Sequence, residues 1–267
     1  MLVRKPAVAG AFYPSDPDEL NSYLRSVLEP LKRLYKPKSI IVPHAGYVYS
    51  GAVAAKAYRL IESFETYIII GPNHTGWGEE ISVFSGTYQM PFGDIETDDE
   101  IIKTLTEQSQ ARIDYYAHLQ EHSIEVQLPF IEYITDKPYR IVPVVIGTHN
   151  REKLRQFGLA MAHAIEESHR EVLIVVSSDM NHYEDHETTL QKDELAIEAI
   201  ERLDEEALMN VVARYNITMC GVAGTYAAII ASKQLGATQA IAVDHRTSGE
   251  VNRDFSQVVG YLSMLIT

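Results

Sequence analysis

The 267-residue sequence contains a single cysteine, few positively charged residues and no long apolar run. Cys220 is its single cysteine, which excludes an internal disulfide. The longest apolar stretches, such as 172–176, have the length of a strand and fall far short of the roughly 20 residues that cross a bilayer. The formal charge of −14 comes without a lysine or arginine cluster. Nucleic acid and anionic membrane surfaces are therefore not expected as partners. The first residues lack the apolar core of a signal peptide, so a cytoplasmic location is expected by default.

What the sequence does have is an alternation of short β-branched runs with longer helical patterns. Hydrophobic residues make up 46% and charged residues 22%, which is typical of a folded chain rather than a disordered one. Strands that are apolar on both faces and separated by helices indicate a sheet covered on both sides. We therefore predict an α/β fold, a single three-layer αβα domain over residues 1–267 with a mixed, mostly parallel central sheet. Strands are predicted at 39–43, 67–70, 141–146, 172–176, 240–243 and 258–265, helices at 51–61, 121–134, 153–167, 193–213 and 221–235, and a hairpin or edge excursion at 81–92.

Three of the predicted strands run directly into polar clusters that contain histidine. The run IIVP leads to His44, YIII leads to His74, and VLIVVSS leads to Asp179 and His182. In open α/β sheets the functional crevice lies at the carboxyl ends of the strands. If these three strands are parallel neighbours, the three clusters meet in that crevice.

Cys220 adds a fourth element, because it immediately precedes the helix predicted to begin near Gly221. The N-terminus of a helix favours a thiolate, and the thiolate is the form of cysteine that binds metal. Two imidazoles and one thiolate form a three-ligand site with open positions that suits iron, copper or zinc. Each residue taken singly is more often a packing or capping residue, and only their combination makes a metal site as plausible as a structural role.

Two other constellations offer alternatives. Glu121 and Glu125 lie four residues apart and share a helical face, with His122 near its edge. Both a role in a site and an ordinary helix start with solvated carboxylates are open. Ser177 and Ser178 precede an aspartate and a histidine, but no GxSxG elbow surrounds them, which disfavours a serine hydrolase. The GxGxxG and P-loop signatures of nucleotide binding are absent from the sequence.

Six segments taken together resemble the Memo family. They are PAVAGAFYP at 6–14, PHAGYVYSG at 43–51, GPNH at 71–74, EHSIEVQLPF at 121–130, SSDMNHY at 177–183 and MCG at 219–221. They occur in the order of the family and span almost the whole chain. The resemblance implies an αβα domain similar in fold to the class III non-haem iron extradiol dioxygenases, with a metal site in one crevice.

The same resemblance implies a role for individual residues. His44, His74 and Cys220 correspond to the Memo metal ligands, and Asp179, His182 and His122 line the same pocket. Iron(II) is the first expectation for the metal, with copper or zinc as alternatives. The extradiol dioxygenases hold iron(II) with two histidines and a carboxylate, whereas the third ligand here is a thiolate that is itself oxidisable. That difference argues against ring cleavage and leaves the metal site intact.

Three functions are open on this basis. The first is a redox enzyme acting on a small molecule, with His182 as general acid or base, Asp179 orienting it, and His122 donating a hydrogen bond to bound oxygen or substrate. The second is a binding module, since animal Memo relatives are associated with cell-motility signalling and phosphotyrosine peptides, although no arginine cluster adjoins the motifs. The third is metal sequestration. Prokaryotic Memo relatives are associated with a radical-SAM protein and a third protein, which implies a link to that pathway.

Overall fold

A computed structural model describes residues 2–267, and its largest feature is a mixed β-sheet. The strands are β1 Val3–Arg4, β2 Ser39–Val42, β3 Thr66–Pro72, β4 Ile81–Val83, β5 Thr87–Met90, β6 Gly93–Glu96, β7 Arg112–Ile113, β8 Arg140–Ile146, β9 Val172–Ser177, β10 Asp179–Glu184, β11 Ala240–Thr247 and β12 Val258–Ile266. In the main sheet they follow the order β10-β12-β2-β9-β3-β8-β4-β7, and β11 also pairs with β12.

Four parallel strands, β2, β9, β3 and β8, form the centre of this sheet. The first three are buried along their whole length, as expected for strands that are covered on both faces. Alternate side chains point to opposite faces, so that Ile41 and Ile68 enter one core cluster while Ile40 and Ile69 enter the other. The antiparallel strands β12 and β4 flank this centre. The predicted mixed sheet is confirmed, with the parallel pairing concentrated in its middle.

Helices cover both faces of the sheet and complete three layers. The helices are α1 Pro17–Leu28, α2 Tyr47–Tyr58, α3 Asp99–Gln108, α4 Leu128–Ile134, α5 Arg151–Ser168, α6 His186–Glu201, α7 Glu205–Tyr215, α8 Val222–Gln234 and α9 Gly249–Asn252. One core cluster contains most of the buried apolar residues of α1, α2 and α4, and the other contains those of α3 and of α5 to α8. The predicted αβα arrangement is therefore confirmed. None of the helices within residues 2–267 is long and apolar enough to cross a membrane.

Two predicted elements differ from the structure. The helix predicted at 121–134 is wrong over its first half, because residues 121–124 are irregular and only a 3₁₀ turn at Glu125–Gln127 precedes α4. The reason is that the carboxylates of Glu121 and Glu125 turn inward and accept backbone hydrogen bonds from other segments. The segment 81–92 is divided between two sheets. Strand β4 joins the main sheet beside β8, while β5 forms a hairpin with β6 in a smaller sheet with β1.

Candidate metal centre

The carboxyl ends of β2, β9 and β3, three of the four central strands, meet at one edge of the main sheet. Strand β9 lies between β2 and β3 and is parallel to both, with Ser177 opposite Val42 and Val176 opposite Ile70. His44 lies two residues beyond the end of β2, and His74 lies two residues beyond the end of β3. The prediction that the histidine clusters of neighbouring parallel strands converge is confirmed for these two histidines, whose ring centroids are 5.1 Å apart.

His44 is almost fully enclosed, with 2% of its surface exposed. Its Nδ1 lies 3.0 Å from Oγ of Ser177, and its Nε2 lies 3.3 Å from Sγ of Cys220. The backbone N–H of His44 donates to Oδ1 of Asp179 at 2.8 Å, and that of Ala45 donates to the same oxygen at 3.3 Å. Burial lowers the pKa of His44 to about 4, against the opposing charge of Asp179. The ring is therefore neutral at neutral pH, which is the form that binds metal.

His74 is held by a carboxylate instead. Its Nδ1 donates to Oε1 of Glu121 at 2.9 Å, and its backbone N–H donates to Oε2 at 2.8 Å. The side chain of Glu121 is 1% exposed, while that of His74 is 35% exposed. Burial alone would lower the pKa of His74, but the hydrogen bond and charge of Glu121 outweigh it and raise that pKa. A carboxylate on Nδ1 leaves Nε2 as the ring nitrogen free for a ligand, an arrangement that recurs behind metal-binding histidines.

His122 completes a group of three histidines. One ring nitrogen from each of His44, His74 and His122 lies within 4.8 Å of the others. The ring of His122 stacks on that of His74 at 4.5 Å between centroids and packs against Phe12 at 4.8 Å. Burial lowers the pKa of His122, partly opposed by Glu121. Three imidazole nitrogens at this spacing are close enough to bind one ion together.

Cys220 adjoins the histidine group through His44 and is not one of its three members. The Sγ atom accepts from the backbone N–H of Asp179 at 3.2 Å. Gly221 allows this approach, because a Cβ at that position would lie 2.4 Å from Cβ of Ser178 and 2.8 Å from the carbonyl oxygen of Ser177. Burial and the charge of Asp179 raise the pKa of the Cys220 thiol. Desolvation and the charge of Asp179 thus oppose the thiolate that the start of α8 would favour.

Asp179 and His182 face different surroundings. The Asp179 carboxylate lies against the backbone of His44 and Ala45, and its Oδ2 is 4.0 Å from Nε2 of His44. His182 lies further along β10, opposite Val259 of β12, and its Nδ1 is 3.0 Å from the carbonyl oxygen of Thr218. Within residues 2–267, no hydrogen bond joins Asp179 to His182. Asp179 thus belongs to the centre, whereas His182 is hydrogen-bonded to Thr218.

Three residues near the centre differ from the alternatives open in the sequence. Glu121 and Glu125 are not solvated carboxylates, since they are 1% and 0% exposed. Glu125 pairs with the buried Arg4 and also accepts from the hydroxyl of Tyr13 at 2.7 Å. Ser177 donates to the carbonyl oxygen of Ser123 at 2.6 Å rather than facing His182, which removes the basis for a serine nucleophile. The four-residue spacing of the two glutamates was a weak signal for them, and no feature of the sequence indicated Arg4.

The fold and this cluster define an αβα protein with histidines gathered at the carboxyl ends of its central parallel strands. A family model described as Memo-like protein matches residues 4–265, and the chain belongs to this family. The resemblance drawn from the six sequence segments is thereby confirmed.

Curated relatives match along their full length. The chain is 45% identical over 268 residues to a MEMO1 family protein of Aquifex aeolicus, with 99% of each chain covered. It is 42% identical over 280 residues to a MEMO1 family protein of Ignicoccus hospitalis, covering 99% of this chain and 98% of the relative. It is 40% identical over 265 residues to a MEMO1 family protein of Methanosarcina barkeri, covering 99% of this chain and 100% of the relative.

Proposed function

We propose that this chain is a metal-binding redox protein whose ion is held by His44 and His74. The observation that carries the proposal is the group of three imidazole nitrogens within 4.8 Å of one another. Three imidazole nitrogens form a donor set that iron, copper and zinc accept. Iron(II) is the first expectation and copper the second, because both can exchange electrons with dioxygen or a substrate when bound, whereas zinc cannot.

The third ligand is either Cys220 or His122. Cys220 is the family expectation, and its sulfur lies 3.3 Å from Nε2 of His44. His122 is favoured by its place in the three-histidine group. The Cys220 thiol must lose its proton to bind metal as a thiolate, so metal uptake through Cys220 releases a proton, whereas uptake through the neutral ring of His122 does not.

The surrounding residues orient the ligands and handle protons. Glu121 fixes the ring of His74 through Nδ1 and its loop through the backbone N–H. Asp179 fixes the loop that carries His44. If Cys220 is the third ligand, neutral His122 is free to donate a hydrogen bond to a substrate oxygen. His182 is the candidate general acid or base, since within residues 2–267 its Nδ1 faces the carbonyl oxygen of Thr218 and its Nε2 has no hydrogen-bond partner.

A partner-binding role is the second candidate, favoured by exposed aromatic side chains that follow the strand-end clusters. Tyr49, Trp77 and Tyr183 are 42%, 52% and 73% exposed. Aromatic side chains are enriched at protein interfaces. A peptide ligand, a cytoplasmic location and a pathway link to a radical-SAM protein all stay predictions. Peptide binding that survives His44→Ala combined with Cys220→Ser would assign the surface to a function independent of the metal.

Elemental analysis of protein purified without oxygen tests the main proposal. The wild type is expected to hold about one transition-metal ion per chain, and His44→Ala or His74→Ala to lose it. Comparison of Cys220→Ser with His122→Asn identifies the third ligand as the one whose loss removes more metal. His149→Ala is the matched control, because His149 is an exposed histidine outside the cluster.

Two outcomes would count against the proposal. One is a wild-type chain that takes up none of iron(II), copper or zinc on reconstitution. The other is equal metal content in the wild type and in His44→Ala. If metal is bound but oxygen uptake is absent with all candidate substrates, metal sequestration replaces the redox role. Oxygen uptake that His182→Ala leaves unchanged removes His182 as the acid or base.

A further inference from the structure

A buried hydroxyl behind His44 has three polar neighbours and a single hydrogen to give. Oγ of Ser177 lies 2.6 Å from the carbonyl oxygen of Ser123, 2.8 Å from Nε2 of Gln127 and 3.0 Å from Nδ1 of His44. A carbonyl oxygen only accepts, so the hydroxyl hydrogen goes to Ser123. The two remaining contacts of the hydroxyl oxygen must then be donated to it by its neighbours.

The orientation of the Gln127 amide is fixed by two groups of opposite character. Its nitrogen lies 2.9 Å from the carbonyl oxygen of Pro43, which only accepts, and its oxygen lies 3.1 Å from the hydroxyl of Tyr58. Turning the amide over would place two acceptor oxygens face to face at Pro43. The amide nitrogen therefore donates to both Pro43 and Ser177, and it occupies one of the two lone pairs of the serine oxygen.

The other lone pair of Ser177 is left for His44, whose Nδ1 must carry a hydrogen to use it. The acceptors on the other side of the ring compete only weakly for that hydrogen, because a thiol sulfur is a poor acceptor and the nearest carboxylate lies beyond hydrogen-bond distance. Nε2 faces Sγ of Cys220 at 3.3 Å, and the nearest carboxylate oxygen, Oδ2 of Asp179, is 4.0 Å away. Ser177, Gln127 and Tyr58 are each 0% exposed, so the hydrogen-bond chain behind the ring is enclosed by protein.

We propose that Ser177, held by Gln127, is a positioning residue that fixes His44 in the tautomer with its hydrogen on Nδ1 and a bare Nε2. The bare nitrogen is the one turned toward Cys220, where a metal would be bound. The hydrogen-bond partner of one ring nitrogen decides which nitrogen of a histidine is available to a ligand. The value of this arrangement for metal binding rests on the proposed function, but the tautomer itself exists without any metal.

Long-range proton–nitrogen correlation spectra of the metal-free protein, labelled with ¹⁵N in histidine, test the proposal. His44→Asn assigns the signals. The wild type is expected to show Nδ1 of His44 at the position of a protonated ring nitrogen and Nε2 at that of a bare one. In Ser177→Ala, Nδ1 loses its acceptor, so the two nitrogen shifts are expected to move toward each other as the second tautomer becomes populated.

Ser123→Ala is the matched control. It removes another buried serine hydroxyl of the same cluster but keeps the carbonyl oxygen that Ser177 uses, and it is expected to leave the His44 shifts unchanged. A wild-type spectrum with the hydrogen on Nε2 would overturn the proposal, and this readout needs no variant to fold. Unchanged shifts in a folded Ser177→Ala would overturn it as well.

A metal titration separates this proposal from the proposed function. If the site binds metal, Ser177→Ala is expected to weaken binding about 10- to 100-fold, the usual effect of removing a group that orients a ligand. If Ser177→Ala changes the tautomer of His44 but the chain takes up no metal, the positioning role is supported and the metal-binding function is wrong. Metal binding in a chain whose wild-type His44 carries its hydrogen on Nε2 would do the reverse.

Discussion

The two histidines at the heart of the site are held by chemically different surroundings. Behind His44 lies a neutral chain of hydrogen bonds that runs through Ser177 and Gln127 to Tyr58. Behind His74 lies a carboxylate, Glu121, and behind that carboxylate lies a buried ion pair. The guanidinium of Arg4 donates to the carbonyl oxygens of Glu121 and His118 and pairs with Glu125, whose side chain is fully enclosed.

This difference predicts which side is fragile. A neutral hydrogen bond that is fully satisfied costs little to bury, whereas a buried charge is tolerated only while its partner is present. The pKa of the two rings moves accordingly, because burial lowers that of His44 while Glu121 raises that of His74. We call Arg4, Glu121 and Glu125, behind His74, the charged side, and Ser177, Gln127 and Tyr58, behind His44, the neutral side. We expect the charged side to dominate the free energy of unfolding and its dependence on pH. The neutral side is expected to determine which ring nitrogen of His44 carries the hydrogen.

The largest effect is expected from Arg4→Met, which leaves Glu125 buried without its cation. The free energy of unfolding should fall by about 3–5 kcal/mol, the usual loss when one partner of a buried ion pair is removed. Urea unfolding followed by circular dichroism measures it. Lys5→Met is the control, since Lys5 is exposed and its removal makes the same change in net charge. A loss no larger than the control would mean that the ion pair does not anchor the charged side.

Gln127→Met should cost less, although the residue is equally buried. The change leaves the Tyr58 hydroxyl and the Pro43 carbonyl oxygen without partners, and buried unpaired neutral groups cost about 1–3 kcal/mol in unfolding free energy. Gln108→Met, on the exposed end of α3, is the control for the substitution itself. The comparison between the two sides fails if Gln127→Met is more damaging than Arg4→Met.

Low pH is expected to destabilise the protein through the charged side, by protonating the carboxylate of Glu121. Burial opposes ionisation of Glu121, but its hydrogen bond with His74 prevails and lowers the pKa of Glu121 from 4.5 to about 2. A lowered folded-state pKa gives stability that is present above the unfolded value and is lost as the pH falls through the folded one. Glu121→Gln should therefore be less stable than the wild type at neutral pH, and the gap should narrow as the pH falls from 4.5 to 2.

Urea midpoints of the metal-free proteins at several pH values provide that measurement. Glu79→Gln, an exposed carboxylate in the loop that follows His74, controls for the loss of one negative charge. A gap that stays constant across the acid range would show that the Glu121 carboxylate contributes no stability of its own.

How far these surroundings could be predicted depends on how local each signal is. The strands that precede His44 and His74 are recognisable in the sequence as apolar runs. The position of the crevice can then be predicted, because the carboxyl ends of parallel strands lie at the same edge of a sheet. Cys220 was indicated by its position before a predicted helix and then by family resemblance, and its sulfur does lie beside His44. The sequence indicated no chain of contacts from Tyr58 to His44, because a glutamine within a predicted helix looks the same whether it faces solvent or the core.

The charged side was hidden for a related reason. Arg4 and Glu125 are 121 positions apart, and a lone arginine near the start of a chain is normally exposed. Glu121 carried a spacing signal, but helical periodicity assigned it to a regular helix that the structure lacks over residues 121–124. Long-range polar pairing leaves no periodic trace in a single sequence, so the sequence places the histidines but does not indicate the groups that hold their rings.

The sharpest test of the neutral side comes from a pair of serines, one of which is expected to give the smallest effect of all. Ser123 and Ser177 are both 0% exposed, but Oγ of Ser123 makes no hydrogen bond within residues 2–267, whereas Oγ of Ser177 makes three. Ser177→Ala should lower the free energy of unfolding by about 1–3 kcal/mol, because it leaves the buried partners of the hydroxyl without a hydrogen bond. Ser123→Ala removes a buried hydroxyl that has no partner, so it should leave stability unchanged or raise it by up to about 1 kcal/mol. If the two substitutions were equally destabilising, the cost would lie in the lost volume of an oxygen atom rather than in hydrogen bonding, and the neutral side would be ordinary core packing.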